Sequence, residues 1–267
     1  MLTVHSTDAP PFLIIAAGLS AWAASQPNTV PSHVGDSIYD KDSRVVDEGI
    51  YRSLAAFTTV VALTYCLQKG KPLSRKADAS LTSIENMLVM MGRVDVRGRP
   101  EKRDVYTLNK LWILFADHEM TNSTSAFLNA TSALSDPISA LVATVASGNG
   151  PLHGGAIDMA YKRFRQMHNK EGVLKHIADV RDKKCRLMGV GHRVYRTVDP
   201  RIQYLKLIIS DLESRMMQNP LFEVALEVER NVVTDPYFTR RNLSINVDMY
   251  GSFVYAALYV LRYLACA

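Results

Sequence analysis

Apolar residues recur along this chain at helical intervals, and short polar stretches rich in proline, glycine, asparagine and aspartate interrupt them. Phe12 to Ala17 and Ala21 to Ala24 follow Pro10-Pro11, a pair suited to starting a helix, and form a first apolar segment. The polar stretch from Gln26 to Asp42 reads as a long loop. A second apolar segment, Val45 to Leu67, runs into Gly70 and Pro72, the stop signals that follow a helix. In Ser80 to Glu85 a serine is placed to cap a helix that carries Leu81, Ile84, Leu88 and Met91 on one face. Val94 to Lys110, with Gly98 and Pro100, reads as a loop turning into a helix that includes Leu111 to Phe115. Asp136-Pro137 and Asp199-Pro200 each pair a cap with a first-turn proline. After the second pair, Ile202, Leu205, Ile209, Leu212 and Met216 descend one face. Period-two alternation, sustained heptads and internal repeats are lacking, so the expected fold class is all-α.

Composition narrows the reading. A chain of 267 residues, 48% hydrophobic and 21% charged, can bury a substantial core as a soluble globular protein of one large or two smaller domains. The 31 Lys and Arg against 26 Asp and Glu give a net charge of +5, spread along the chain, which favours small anionic ligands over nucleic acid. Cys66, Cys185 and Cys266 lie far apart without CxxC spacing, so neither a disulfide framework nor a zinc site is expected, and a reducing compartment fits. The first apolar run imitates a secretory signal but lacks a basic start and is too short to span a bilayer; a buried helix is expected, with no membrane partner. The glycosylation patterns at Asn122, Asn129 and Asn242 are read as coincidental.

Candidate chemistry lies where histidines stand among glycines. Gly150-Pro151-Leu152-His153-Gly154-Gly155 and Gly189-Val190-Gly191-His192-Arg193-Val194-Tyr195-Arg196 both let the backbone turn tightly and approach a ligand. Taken singly, each has a plain alternative. His153 fits a loop before a helix. Gly189-Val190-Gly191 lacks the third glycine of a dinucleotide fingerprint. His118-Glu119 has no second histidine one turn on, which argues against zinc-protease chemistry. Asp248 alone reads as a helix cap, and no serine sits in a nucleophile elbow. His5, His33, His168 and His176 are assigned to the surface.

Taken in order, Leu114 to Glu119, Ser123 to Ser125, Gly150 to Ala156, Gly191 to Arg201, Asp235 to Phe238 and Asn246 to Gly251 resemble the citrate synthase family, which includes citrate, 2-methylcitrate and alkylcitrate synthases. The resemblance implies a large helical domain, 1–153, a smaller one, 154–253, that closes over the substrates, and a short return to the large domain, 254–267. It also implies a homodimer, and condensation of an acyl-CoA with oxaloacetate followed by thioester hydrolysis. Neither a metal nor a tightly bound cofactor is implied; acyl-CoA and CoA are substrate and product. Removing a proton beside a thioester needs a base acting with a donor to the enol oxygen. By resemblance Asp248 is that base, His153 that donor, and His192 the group polarising the ketone. His118 and Arg201 hold oxaloacetate, with Arg201 suited to a bidentate grip. Arg196, one helical turn's distance from His192, meets CoA phosphate, and Met188, Gly189, Val190 and Gly191 offer backbone to the adenine. These five site residues, His118, His153, His192, Arg201 and Asp248, are expected to converge on one cleft.

The sequence also departs from the family. Nineteen residues follow Asp248, where family members continue through helices bearing carboxylate-binding arginines, and Arg262 arrives too early to be one of them. Phe115 stands where many bacterial relatives have a histidine. A second reading is therefore a shortened, weakly active or inactive paralogue that binds CoA or serves as a dimer partner. Association is expected through the faces of Ala16, Ala17, Leu19 and Ala23 or of Tyr255 to Leu258. The expected compartment is intracellular, the cytoplasm before the mitochondrion.

Overall fold

The computed structural model describes residues 9–26, 43–74 and 77–258. The loop expected after Gln26, His5, His33, Arg262 and Cys266 lie outside the described residues. The chain divides into two compact units, one running to Asn109 and including Asp117–Asn149, the other comprising Lys110–Ala116 and the chain from Gly150 onward. Described strands are absent; a single antiparallel bridge, Val190 to Ile245, stands outside the helices.

In the first unit, α1 (Pro11–Ala24) begins at the expected proline and buries Phe12, Ile14, Ile15 and Leu19. Helix α2 (Ser43–Gln68) ends before Gly70, whose φ of 61° is the left-handed conformation that closes a helix. Its Val46–Gln68 stretch is long and apolar enough to cross a membrane by length and composition. Here Val60, Val61, Ala62, Tyr65 and Cys66 are buried, and α2 packs on α1 and on α3 (Ser83–Met90). The cap of α3 is Thr82 rather than a serine. Its hydroxyl accepts from Glu85 N while Glu85 accepts from Thr82 N at 2.8 Å, a reciprocal capping box, and Leu81 falls outside the helix. Helix α4 (Lys102–Phe115) begins in this unit and its last turn belongs to the other. Helices α5 (Asn122–Ser132) and α6 (Pro137–Gly148) pack together, and α6 also packs on α1. Asp136 caps α6 as its sequence predicts, accepting from Ile138 N and Ser139 N at 3.0 Å each. The small-residue face of α1 expected to drive association is used within this unit, since Leu19 and Ala23 are buried.

The second unit is built around an aromatic core. Helices α7 (Ala156–Met167) and α8 (Lys170–Arg181) are followed by a long irregular segment. Then come α9 (Ile202–Asp211) and the short α10 (Glu213–Met216); the helix is interrupted at Leu212, but Ile202, Leu205, Leu212 and Met216 of the expected face are all buried. Helix α11 (Pro220–Thr234) and the short α12 (Pro236–Thr239) lead to α13 (Asp248–Ala257). Phe253 of α13 meets Tyr161 and Phe164 of α7 and Phe222 of α11, with ring centroids 5.3, 5.6 and 5.5 Å apart. Such tilted and edge-on pairs add about 0.5–1.5 kcal/mol each beyond burial. Tyr255, Ala257 and Leu258 are buried in this core instead of forming an exposed face. His176, expected at the surface, is buried on α8 with the Cys185 sulfur 3.7 Å from its Nδ1. His168 is exposed, as expected.

Candidate active site

The irregular segment between α8 and α9 is fastened to the start of α13 by backbone. Gly191 N donates to Ser244 O at 2.7 Å and Asn246 N to Gly189 O at 2.9 Å, flanking the Val190–Ile245 bridge. Asn246 then acts twice: its Nδ2 donates to Gly191 O at 2.7 Å, and its Oδ1 accepts from Asp248 N at 2.9 Å. Asn246, one residue ahead of the N-cap Val247, thus satisfies the first N–H of α13. Gly189 has φ +81°, and a Cβ there would lie 3.0 Å from Met249 Cα, so only glycine lets this loop approach the helix so closely.

That fastening sets His192 beside the helix start. His192 Nδ1 accepts from Val194 N at 3.1 Å and Tyr195 N at 3.3 Å, and its ring stacks on Tyr195 at 4.6 Å. With Nδ1 accepting, neutral His192 carries its proton on Nε2 and presents a donor there. The segment after His192 is not helical, so the four-residue spacing to Arg196 does not make a helical turn; Arg196 is an exposed residue of an irregular loop.

Asp199 and Arg201 form the charged centre. Asp199, 1% exposed, accepts from Arg201 Nε at 3.0 Å and Nη2 at 2.8 Å, and also from Arg201 N and Val247 N. Helix α9 therefore starts at Ile202, later than a cap at Asp199 would place it. Burial alone would raise the Asp199 carboxyl; the hydrogen bonds and charge of Arg201, with the Val247 N–H, hold it below the ordinary carboxylate value. The bidentate clasp uses one edge of the guanidinium and leaves the Nη1–Nη2 edge for a ligand carboxylate. The same guanidinium lies 5.7 Å from the Phe115 ring centroid and 6.0 Å from that of Tyr195.

Asp248 faces this pair. Burial pushes its carboxyl up to about 6, with Asp199 adding to the rise and Arg201 opposing it. His153 lies in the turn ahead of α7, its N donating to Gly150 O at 2.9 Å, and burial lowers its pKa so that the imidazole is neutral near pH 7. Ile157 in the first turn of α7 borders Gly251 in the first turn of α13, which brings the helix ends bearing His153 and Asp248 to one side of the second unit. The structure thus gathers His192, Arg201 and Asp248, with His153 at the adjoining helix end and Met188 to Gly191 on the fastened loop. His118 belongs to the other unit, half-exposed between α4 and α5. A separate cavity of about 290 Å³, lined by Tyr161, Arg215, Asn219, Phe253 and Ala257, sits towards the other end of α13.

Three contributors went unassigned from sequence: Asp199, read only as a cap, Tyr195, and Asn246. The signal for Asp199 was an aspartate two residues from an arginine across a proline, a spacing that admits a bidentate clasp.

The second unit of this helical chain thus brings together a carboxylate raised by burial, an imidazole whose Nδ1 accepts from backbone, and a guanidinium clasped by a buried carboxylate. The chain belongs to the citrate synthase family, for the family described as citrate synthase, C-terminal domain, matches residues 1–266. It is 43% identical over 246 residues to the citrate synthase-like protein oryE of Aspergillus oryzae, covering 92% of this chain and 55% of that one. To alkylcitrate synthase phiJ of a fungal species it is 34% identical over 251 residues, covering 94% and 55%. Its fold matches the citrate synthase of Thermoplasma acidophilum, solved as a ternary complex with carboxymethyl coenzyme A and oxaloacetate. That match has a TM-score of 0.77 and 26% identity and covers 98% of this chain and 65% of the other. The chain spans about half the length of these curated relatives.

Proposed function

We propose that the chain condenses an acyl-CoA, acetyl or longer, with oxaloacetate, giving citrate or an alkylcitrate and free CoA. The observation that carries this reading is Asp248 at the start of α13, its carboxyl raised to about 6 with Arg201 nearby, on the helix to which the loop bearing His192 is fastened. The relatives named alkylcitrate synthase and citrate synthase-like, and the neighbour crystallised with oxaloacetate and a CoA analogue, support it.

In this reading Asp248 removes a proton from the acyl carbon next to the thioester, and neutral His153 donates a hydrogen bond to the enol oxygen. The enolate carbon forms a bond to the ketone carbon of oxaloacetate while His192 Nε2–H supplies a proton to the ketone oxygen, which becomes a hydroxyl; the proton taken by Asp248 passes back to His192 through solvent, restoring both groups. Water then adds to the thioester carbonyl; the C–S bond breaks, the carbonyl carbon keeps the hydroxyl and sulfur takes the proton. The free edge of Arg201 grips a carboxylate of oxaloacetate. Arg196 meets CoA phosphate, and Met188 to Gly191 meet the adenine through backbone. Contact of His118 with oxaloacetate is part of the same proposal and is tested separately by His118→Ala. A homodimer belongs to it too and is read by light scattering.

The test is CoA release by purified protein with oxaloacetate, scanned across acetyl-, propionyl- and longer acyl-CoAs. Oxaloacetate-dependent release with at least one of them supports the proposal. CoA binding without turnover across the series would replace it with the reading of a catalytically inactive relative.

A further inference from the structure

Glu229 on α11 holds two other helices at once. One carboxylate oxygen accepts a short hydrogen bond from the Tyr250 hydroxyl on α13, and the other accepts from Lys206 Nζ on α9 at 2.5 Å. Tyr250 is 1% exposed, and its ring meets Phe222 of α11 edge-on at 5.9 Å. Burial, the hydrogen bond to Glu229 and the Glu229 charge all push the Tyr250 phenol upward, with Arg230 opposing weakly, so the hydroxyl is a permanent donor. A charge-assisted O–H to carboxylate bond in this setting is stronger and more directional than a neutral one.

The positions of the two partners give the arrangement its consequence. Lys206 lies in the helix that Arg201 caps, and Tyr250 lies in the helix that Asp248 begins. Residues two apart on a helix point about 200° apart, so Tyr250 anchors the back of α13 while Asp248 projects from its front. A single carboxylate therefore fixes the two elements that carry the cation and the base. Lys206–Glu229 is half-exposed at its lysine end, and such a pair adds little stability by itself. Its geometric effect is larger, because the attraction between Arg201 and Asp248 falls with their separation.

We infer that Glu229, joined to Tyr250 and Lys206, is a positioning residue that sets the separation of Asp248 from Arg201 and so tunes the base. The inference rests on the reading of Asp248 as the proton acceptor. The charged groups acting on Asp248 are Arg201 and Asp199; those acting on Tyr250 are Glu229 and Arg230.

The test uses the whole chain with Tyr250→Phe, which keeps the ring, and Lys206→Met, which alters only a half-exposed end. Asp248 is titrated by carboxyl 13C NMR without substrate, α-proton exchange of acyl-CoA is measured with solvent deuterium, and Tm is recorded. Expected in both variants is an Asp248 midpoint above the wild-type value and, for Tyr250→Phe, a fall in exchange kcat of about ten-fold or more with KM within about two-fold. A lowered Tm with the Asp248 midpoint unchanged or lowered in both variants would overturn the inference. Absence of exchange in the wild type would remove the functional reading, while a raised Asp248 midpoint in the variants would still establish the positioning.

Discussion

Asp248→Asn stabilises the second unit at neutral pH while removing the proposed base. The carboxyl rises from an ordinary 3.8 to about 6 because burial outweighs the attraction of Arg201. Well below its ordinary value the group is protonated in folded and unfolded chains alike and costs nothing. As pH rises towards and through 6, the folded chain must carry an anion that its surroundings disfavour, whereas the unfolded chain carries it freely. Stability present at low pH is thus lost, by about 3 kcal/mol at about pH 8 and by under about 1 kcal/mol at about pH 4. Asparagine keeps the shape without the charge, so the variant gains most of that difference at the higher pH, a urea midpoint roughly 1 M above wild type. Trp112 lies in the second unit and Trp22 in the first, so Trp112 fluorescence in a Trp22→Phe background reports the relevant unfolding. An asparagine variant no more stable than wild type at about pH 8, or equally stabilised at both pH values, would show that the folded chain bears no cost for ionising Asp248.

The same carboxyl sets the acid limb of the pH–rate profile: kcat/KM for CoA release falls as pH drops through about 6, and a limb near the ordinary aspartate value would point to another base. Asp199→Asn leaves the largely buried Arg201, 13% exposed, without its charged partner and costs about 3 kcal/mol in urea unfolding. Because the Asp199 carboxyl is held below its ordinary value, the stability it gives is present at neutral pH and lost as pH falls through that depressed value, so the variant is also less sensitive to acid. Gly189→Ala places a Cβ 3.0 Å from Met249 Cα at a φ of +81°. It costs about 1–3 kcal/mol and raises KM for acyl-CoA more than for oxaloacetate in steady-state kinetics.

Helix after helix was legible because capping and apolar spacing act locally: Pro11, Asp136 and Gly70 mark boundaries that the fold respects. Where two signals competed within a few residues the sequence was ambiguous, as at Ser80 and Thr82, and the reciprocal bond with Glu85 decided for the threonine. The histidines and Asp248 stood out through their glycine and asparagine surroundings. Their chemistry did not, since it depends on partners distant in sequence. The raised carboxyl of Asp248 arises from burial with Asp199 and Arg201 nearby, and the tautomer of His192 arises from the irregular turn that follows it. Burial of His176, and of Tyr255 at the end of α13, reflects packing within the second unit that helical periodicity does not specify.

In the proposed reaction Asp248 removes a proton from the acyl carbon beside the thioester. The decisive experiment incubates acyl-CoA with wild-type protein and with Asp248→Asn in deuterium oxide and measures deuterium at that carbon by mass spectrometry. Incorporation catalysed by the wild type is expected, with a loss of roughly two to four orders of magnitude in the variant. Equal incorporation by both proteins would contradict that role for Asp248.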